Sequence, residues 1–163
     1  MQIRLATADD AQVLADFNLR LAQETEGKRL DADLVLSGVR NGLKQGDEVQ
    51  YLVAVAEQQI ACSGTASPKT GGPHTVGQLM LTREWSDWRD GWMYWLQSVY
   101  VVSEFRGQGV FKALLESAIQ QLKSRNDVVG IRLYVEVENE VAIGTYQKMQ
   151  FTDCGYKVME RIF

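Results

Sequence analysis

The chain is poor in the residues that announce a metal centre or a covalent active site. It has one histidine, His74, and two cysteines, Cys62 and Cys154, in 163 residues. Neither cysteine stands in a metal-type or Cys/His spacing, so no metal is expected and a cysteine nucleophile is disfavoured. Two such thiols read most simply as free groups in a reducing cytoplasm. Proline is scarcer still for the length: Pro68 and Pro73 are the only two, and both fall in Ser67 to His74, which must be a loop. No run approaches the ~18 apolar residues of a membrane span. The opening Met1-Gln2-Ile3-Arg4-Leu5 lacks the basic-then-apolar pattern of a signal peptide. The expected location is cytoplasmic, with no membrane partner. A net charge of −4 speaks against a broad nucleic-acid surface but leaves room for a local basic patch around a phosphate.

What is present is an ordinary globular composition, 45% hydrophobic and 23% charged, in a length that suits a single domain over residues 1–163. Residues 3–6 read as a short strand. Leu14, Phe17 and Leu21 set the period of a helix over 8–24, with Thr7 as N-cap, Asp10 in a capping-box position and Gly27 as its end. Asp31 opens a second helix. Residues 51–56 are a compact apolar strand, turned by Glu57-Gln58-Gln59 into 60–62. Residues 63–75 read as a loop insertion and 76–85 as a further strand. Residues 92–102 form a nearly continuous apolar strand, the kind that lies inside a sheet. Phe111, Leu114, Leu115, Ala118, Ile119 and Leu122 make one apolar helix face. Ile131, Leu133, Val135 and Val137 alternate as a strand does. Asn139 caps a last helix bearing Ala142, Tyr146 and Met149, and residues 151–163 are expected to close the sheet with one or two strands.

The stretch that carries chemistry is the turn between the buried strand and the apolar-faced helix, Ser103-Glu104-Phe105-Arg106-Gly107-Gln108-Gly109. A glycine-rich turn opening a helix leaves backbone N–H groups unpaired and pointing one way, under the positive end of the helix dipole. That is a ready site for a phosphate or pyrophosphate, with Arg106 as a charged donor and glycines that let a ligand approach the backbone. Glycines before a helix also serve as plain turn residues, so the motif alone decides little. No Gly-Lys-Ser/Thr follows, which excludes a Walker A loop, and the glycine spacing differs from the dinucleotide-binding fingerprint.

Arg106-Gly107-Gln108-Gly109-Val110-Phe111 resembles the Gln/Arg-x-x-Gly-x-Gly/Ala motif of the GCN5-related N-acetyltransferase superfamily, with Phe111 standing where the family has Gly or Ala. Upstream, Leu96-Gln97-Ser98-Val99-Tyr100-Val101 sits where that family has its central strand. Downstream, Asn139-Glu140-Val141-Ala142 through Tyr146-Gln147-Lys148-Met149-Gln150-Phe151 resembles its Asn-x-x-Ala-x-x-x-Tyr-x-Lys-x-Gly-Phe segment, with Gln150 in place of glycine. The order and spacing of the three segments carry the resemblance, which spans most of the chain.

The resemblance implies an α/β (α+β) fold: a mixed sheet of six to seven strands, flanked by about four helices and splayed between strands 4 and 5. It implies acetyl-coenzyme A as co-substrate and a primary amine, small molecule or peptide, as acceptor. Val99, Tyr100 and Val101 would meet pantetheine through their backbone. Arg106, Gly107, Gln108, Gly109, Val110, Phe111 and Lys112 would hold the pyrophosphate, with Asn139, Ala142, Tyr146 and Lys148 on the far side. Tyr146 would protonate the departing thiolate, a transfer from a phenol that keeps its proton to ~pH 10 onto a thiolate that takes one near ~8.5. A base must also relieve the amine of its proton. Glu84 is the first candidate, followed by Glu136 and Glu138 and then by Glu24 and Glu26. Each also reads as a solvated carboxylate. Glu84-Trp85-Ser86-Asp87-Trp88 suits an ammonium-bearing substrate, or a core plug or homodimer interface. A catalytically silent acyl-coenzyme A-binding module on the same fold is the alternative.

Overall fold

The computed structural model describes residues 1–59 and 70–163. Its elements in chain order are β1 (Gln2–Leu5), α1 (Ala11–Glu26), α2 (Ala32–Gly42), β2 (Val49–Gln59), β3 (Thr70–Ser86), β4 (Gly91–Val101), α3 (Val110–Lys123), β5 (Val128–Leu133) and α4 (Glu140–Lys148). The strands form one sheet in the order β1-β2-β3-β4-β5. Pairing is antiparallel as far as β4, and β5 runs parallel to β4. A parallel pair needs a crossover, and α3 supplies it.

The apolar run of β2 has its cause in burial on both faces. Leu52 and Ala54 join Leu79, Leu81, Tyr94 and Leu96 under α3, against Leu114, Leu115 and Ala118. Tyr51 and Val53 point the other way, into a second cluster with Leu14 and Ala15 of α1 and Val39 of α2. Successive strand residues alternate faces, so a strand packed on both sides loses its polar period.

The expected capping box of Thr7 and Asp10 forms, but around a single 3-10 turn, Ala8–Asp10, so that α1 begins at Ala11 rather than at 8. The Thr7 N–H donates to the Asp10 carboxylate at 2.7 Å, and the Arg4 guanidinium grips the same carboxylate at 2.7 and 2.8 Å. That pair ties β1 to the start of α1 and holds the Asp10 carboxyl below its ordinary range. Gly27 ends α1 in the left-handed region at φ 64°, and Asp31 caps α2 by accepting the Leu34 N–H at 2.9 Å.

Four expectations are corrected. The sheet has five strands among the described residues, not six to seven. Residues 151–163 form no strand, because a strand exists only through its pairing and these residues have no partner among the described residues. β5 ends at Leu133 rather than 137: its last registered pair is Leu96↔Leu133, after which β4 departs and the ladder has nothing to pair with. The loop placed at 63–75 is shorter at its end. Residues 70–75 already belong to β3, paired back to Val55–Gln59 through two register shifts. His74 therefore lies on β3 opposite Ala56, its ring 5.7 Å from that of Phe105. The strand expected at 60–62 and the remainder of that loop lie outside the described residues.

Candidate active site

The site is a fork in the sheet. β4 pairs with β5 only from Trp92 to Leu96, and the two then separate. On its other side β4 carries a bulge: Gln78 faces Tyr100 and Met80 faces Gln97, so Leu79 alone opposes Ser98 and Val99. Ser98 is left-handed at φ 47°, a conformation costing a non-glycine residue about 1 kcal/mol. Gln78, wholly buried, helps hold that strain. Its side-chain amide donates to the Ser98 carbonyl at 3.1 Å and to Asn18 Oδ1 of α1 at 2.6 Å. Across the fork, the Tyr134 hydroxyl donates to Gln97 Oε1 at 3.3 Å.

β4 leads into the glycine turn. Gly107 and Gly109 are left-handed at φ 73° and 82°, and a Cβ at either would meet nothing within 4 Å. Their requirement is one of dihedral angle, not of crowding. Gly109 is the N-cap of α3, no side chain caps it, and the first turn carries no acid. The first bond of the helix runs from the Ala113 N–H to the Gly109 carbonyl, at 2.9 Å. The N–H groups of Val110, Phe111 and Lys112 therefore have no acceptor within the helix, and they sit at its positive end. Arg106 is held beside them. Its Nε donates to the Val101 carbonyl at 2.8 Å, its Nη2 to Glu24 at 2.5 Å, and its guanidinium lies 5.4 Å from the Tyr100 ring centre. The Tyr100 hydroxyl donates to the same Glu24 carboxylate at 2.8 Å. Arg106 is the largest cause of the lowered Glu24 pKa.

A groove of about 720 Å³ runs through the fork and over the turn, within the size range of small-molecule sites. Val99 and Val101 of β4 line it, as do Arg106, Gly107 and Gly109 of the turn and Val110, Phe111 and Lys112 of α3. Asn139, Ala142, Tyr146 and Lys148 line its other wall. Asn139 caps α4 by accepting the Ala142 N–H at 3.0 Å. Phe111 fills the space that a small residue would leave, and its ring meets Tyr146 edge-on at 5.7 Å. Phe151 meets Tyr146 from another side at 5.8 Å. Burial among these rings pushes the Tyr146 phenol above its ordinary pKa, so it keeps its proton. Gln150 takes the left-handed conformation at φ 68° that a glycine would adopt freely. The backbone therefore holds a glycine-type turn there at the cost of strain.

Two of the expected residues turn their side chains elsewhere. The Tyr100 side chain is buried against Phe17 of α1, ring centres 5.1 Å apart, and the Gln108 amide turns back onto the Glu104 carbonyl at 2.7 Å. Neither residue lines the groove. Glu84 lines a second groove, of about 500 Å³, with Trp85 and Trp88. Its carboxylate accepts the Trp95 indole N–H at 2.6 Å and faces Arg132 at 3.6 Å. Of the other carboxylates, Glu26 and Glu136 line the main groove. Glu26 pairs with Lys28 at 2.5 Å. Glu136 accepts the backbone N–H of Glu138 at 2.8 Å and has no ion pair among the described residues. Gln78 and Asn18 carry no sequence motif; the one hint is a lone polar residue inside the apolar run 76–81.

Residues 37–151 match the model of the Acetyltransferase (GNAT) family, a span that contains the fork, the turn and α4, and the chain belongs to that family. A solved structure described as a possible acetyltransferase from Clostridium difficile 630 is 37% identical, with a TM-score of 0.82 over 99% of this chain and 97% of that one. A ribosomal-protein-alanine N-acetyltransferase from Brucella melitensis biovar Abortus 2308 shares the fold at 18% identity, with a TM-score of 0.71 over 99% of both chains. N-alpha-acetyltransferase 30 of Schizosaccharomyces pombe is 35% identical over 63 residues. That match covers 39% of this chain and 40% of the relative, so less than half of the relative's length is spanned.

Proposed function

We propose that the protein transfers an acetyl group from acetyl-coenzyme A to a primary amine by direct attack in a ternary complex. The observation that carries this reading is the open fork leading straight to an uncapped helix N-terminus. The N–H groups of Gly107 to Lys112 and the Arg106 guanidinium would take the pyrophosphate, Glu24 giving way as Arg106 turns to it. The exposed edge of β4 from Val99 to Val101 would pair with pantetheine amides as a strand would. A backbone N–H at the bulge, near Val99, would face the thioester carbonyl and stabilise the negative charge that develops on its oxygen. The amine nitrogen attacks the carbonyl carbon and the carbon–sulfur bond breaks. Tyr146 gives its proton to the sulfur, and Glu136, directly or through water, takes the proton of the amine. Glu136 is preferred to Glu84 for this role because it lines the same groove as Tyr146.

The name of the N-alpha-acetyltransferase relative adds protein amino termini to the small amines as acceptors to try. A silent acyl-coenzyme A-binding module is the second reading, favoured by the commitment of Glu84 to Trp95 and Arg132. The test is incubation with acetyl-coenzyme A and a panel of polyamines, aminoglycosides and peptides with free amino termini, reading thiol release and acetylated product by mass. The proposal expects product with at least one class, lost in Tyr146→Phe. Binding of acetyl-coenzyme A with no product from any class favours the silent module.

A further inference from the structure

The hydrogen bonds behind the bulge single out two residues that line neither groove, Gln78 and Asn18. Val102 donates its N–H to the Val76 carbonyl of β3 at 2.9 Å. Backbone groups of successive strand residues face opposite edges. The N–H groups of Val101 and Val99 therefore face the edge that β5 has left. The peptide between Ser98 and Val99 is trans, so its carbonyl points away from its N–H. The Ser98 carbonyl thus faces back toward β3, where the Gln78 amide donates to it at 3.1 Å. The same amide nitrogen donates to Asn18 Oδ1 of α1 at 2.6 Å. Asn18 is anchored in turn, because its neighbour Phe17 is buried against the Tyr100 ring, 5.1 Å between centres. Gln78 Oε1 has no hydrogen-bond partner among the described residues, although the residue is wholly buried. An apolar side chain of the same shape would avoid that unpaired acceptor. The amide is therefore present for what its N–H groups hold.

We infer that Gln78 and Asn18 are positioning residues for acyl transfer: together they fix the plane of the Ser98–Val99 peptide and so aim the Val99 N–H into the fork. The inference rests on the coenzyme A reading above and names what sets the direction of its oxyanion donor. Ser98 is held at φ 47°, where a non-glycine residue stays only under constraint. Without the Gln78 amide the peptide is free to rotate toward a commoner conformation. The Val99 N–H turns with it, and a hydrogen bond weakens steeply as its angle closes. Donors fixed before the reaction stabilise developing negative charge without reorganising. Gln78 and Asn18 line no part of the main groove, so they act on the reaction only through that donor's direction. Arg106 is held instead by Glu24 and the Val101 carbonyl, so the pyrophosphate end of the groove is built without either residue.

The experiment is infrared spectroscopy of acetyl-coenzyme A, isotopically labelled at its thioester carbonyl and bound to the full chain, beside calorimetry of the same binding. The parent should bind, and its bound carbonyl should stretch at a lower frequency than the free thioester's, because a donor weakens the C=O bond. Gln78→Leu keeps the bulk of the side chain and removes both N–H groups. In it the shift should be lost, while affinity stays within about three-fold because the pyrophosphate contacts survive. Asn18→Leu should lose part of the shift, and it carries the test if Gln78→Leu fails to fold by circular dichroism. With any amine of the panel that yields product, kcat should fall at least about 10-fold in Gln78→Leu, a part of the about 10²–10³ lost with a whole oxyanion donor. A full shift in folded Gln78→Leu, or in Asn18→Leu where that variant alone folds, overturns the inference and leaves the coenzyme A reading standing. So does a parent that binds without a shift. A shift lost only together with more than about 10-fold of affinity marks collapse of the fork, a purely structural role, and overturns the inference as well. A parent that binds no acetyl-coenzyme A overturns the reading itself, and the inference with it.

Discussion

The two grooves are built from different materials. The main groove draws its anion-binding features from backbone: a bulge at Ser98 and Val99, left-handed glycines at 107 and 109, and uncapped N–H groups at the start of α3. The second groove is made of side chains that bind one another, with Glu84 held by the Trp95 indole and Arg132, and Trp85 edge-on to Trp92 at 5.1 Å. Backbone donors fixed by the fold cost no reorganisation when an anion arrives. A carboxylate already committed to an indole must give up that bond before it serves a ligand. The backbone of the first groove can thus take an anion without rearrangement, and the second groove must break bonds of its own before it takes a ligand.

Tyr146→Phe strikes hardest at this contrast. It should lower kcat about 100-fold or more while leaving acetyl-coenzyme A affinity nearly unchanged, since the ring packing against Phe111 and Phe151 survives. Steady-state kinetics beside calorimetric binding would separate the two effects. Because burial raises the phenol pKa, the acid form persists as pH rises. The rate should therefore not fall on account of Tyr146 until the pH passes the ordinary tyrosine value of about 10. Gly109→Ala comes next. The left-handed angle of 82° costs an alanine about 1 to 2 kcal/mol. If the turn keeps its shape that cost falls on stability alone; if it relaxes, its N–H groups lose their aim, and acetyl-coenzyme A should bind about 10-fold more weakly in calorimetry.

Gln150→Gly runs in the opposite direction. Relief of the strain at φ 68° should stabilise the fold by about 1 kcal/mol, read as a rise of about 2–4 °C in thermal unfolding. Glu84→Gln should do least on the donor side: its acetyl-coenzyme A affinity should stay within about two-fold of the parent, since a neutral amide keeps the bond to Trp95 and touches no part of the main groove. Any larger loss would merge the two grooves into one functional unit.

How much was legible in the sequence follows the same division. The Arg106 to Gly109 turn, the Asn139 cap and the position of Tyr146 could be read, because backbone geometry of that kind demands particular residues at particular spacings. The apolar helix face of α3 was legible for the same reason. The strand count was not, since residues 151–163 carry enough apolar side chains for a strand but pairing is a non-local property. The end of β5 was hidden too, because alternation continues to Val137 while the pairing with β4 stops at Leu96. Gln78, which pins the bulge, looked like one polar residue in a strand. The bond between Arg106 and Glu24 joins residues 82 positions apart, and no local pattern announces it.

The central claim is that the fork and the α3 N-terminus form a coenzyme A site. Thermal unfolding with acetyl-coenzyme A, free coenzyme A and ATP in parallel tests it most directly. A ligand at about 100 times its dissociation constant adds about 2.7 kcal/mol. For a chain of this length that amounts to several degrees. The account predicts this rise with both coenzyme A species and none with ATP. An unchanged midpoint at millimolar acetyl-coenzyme A, or an equal rise with ATP, would contradict it.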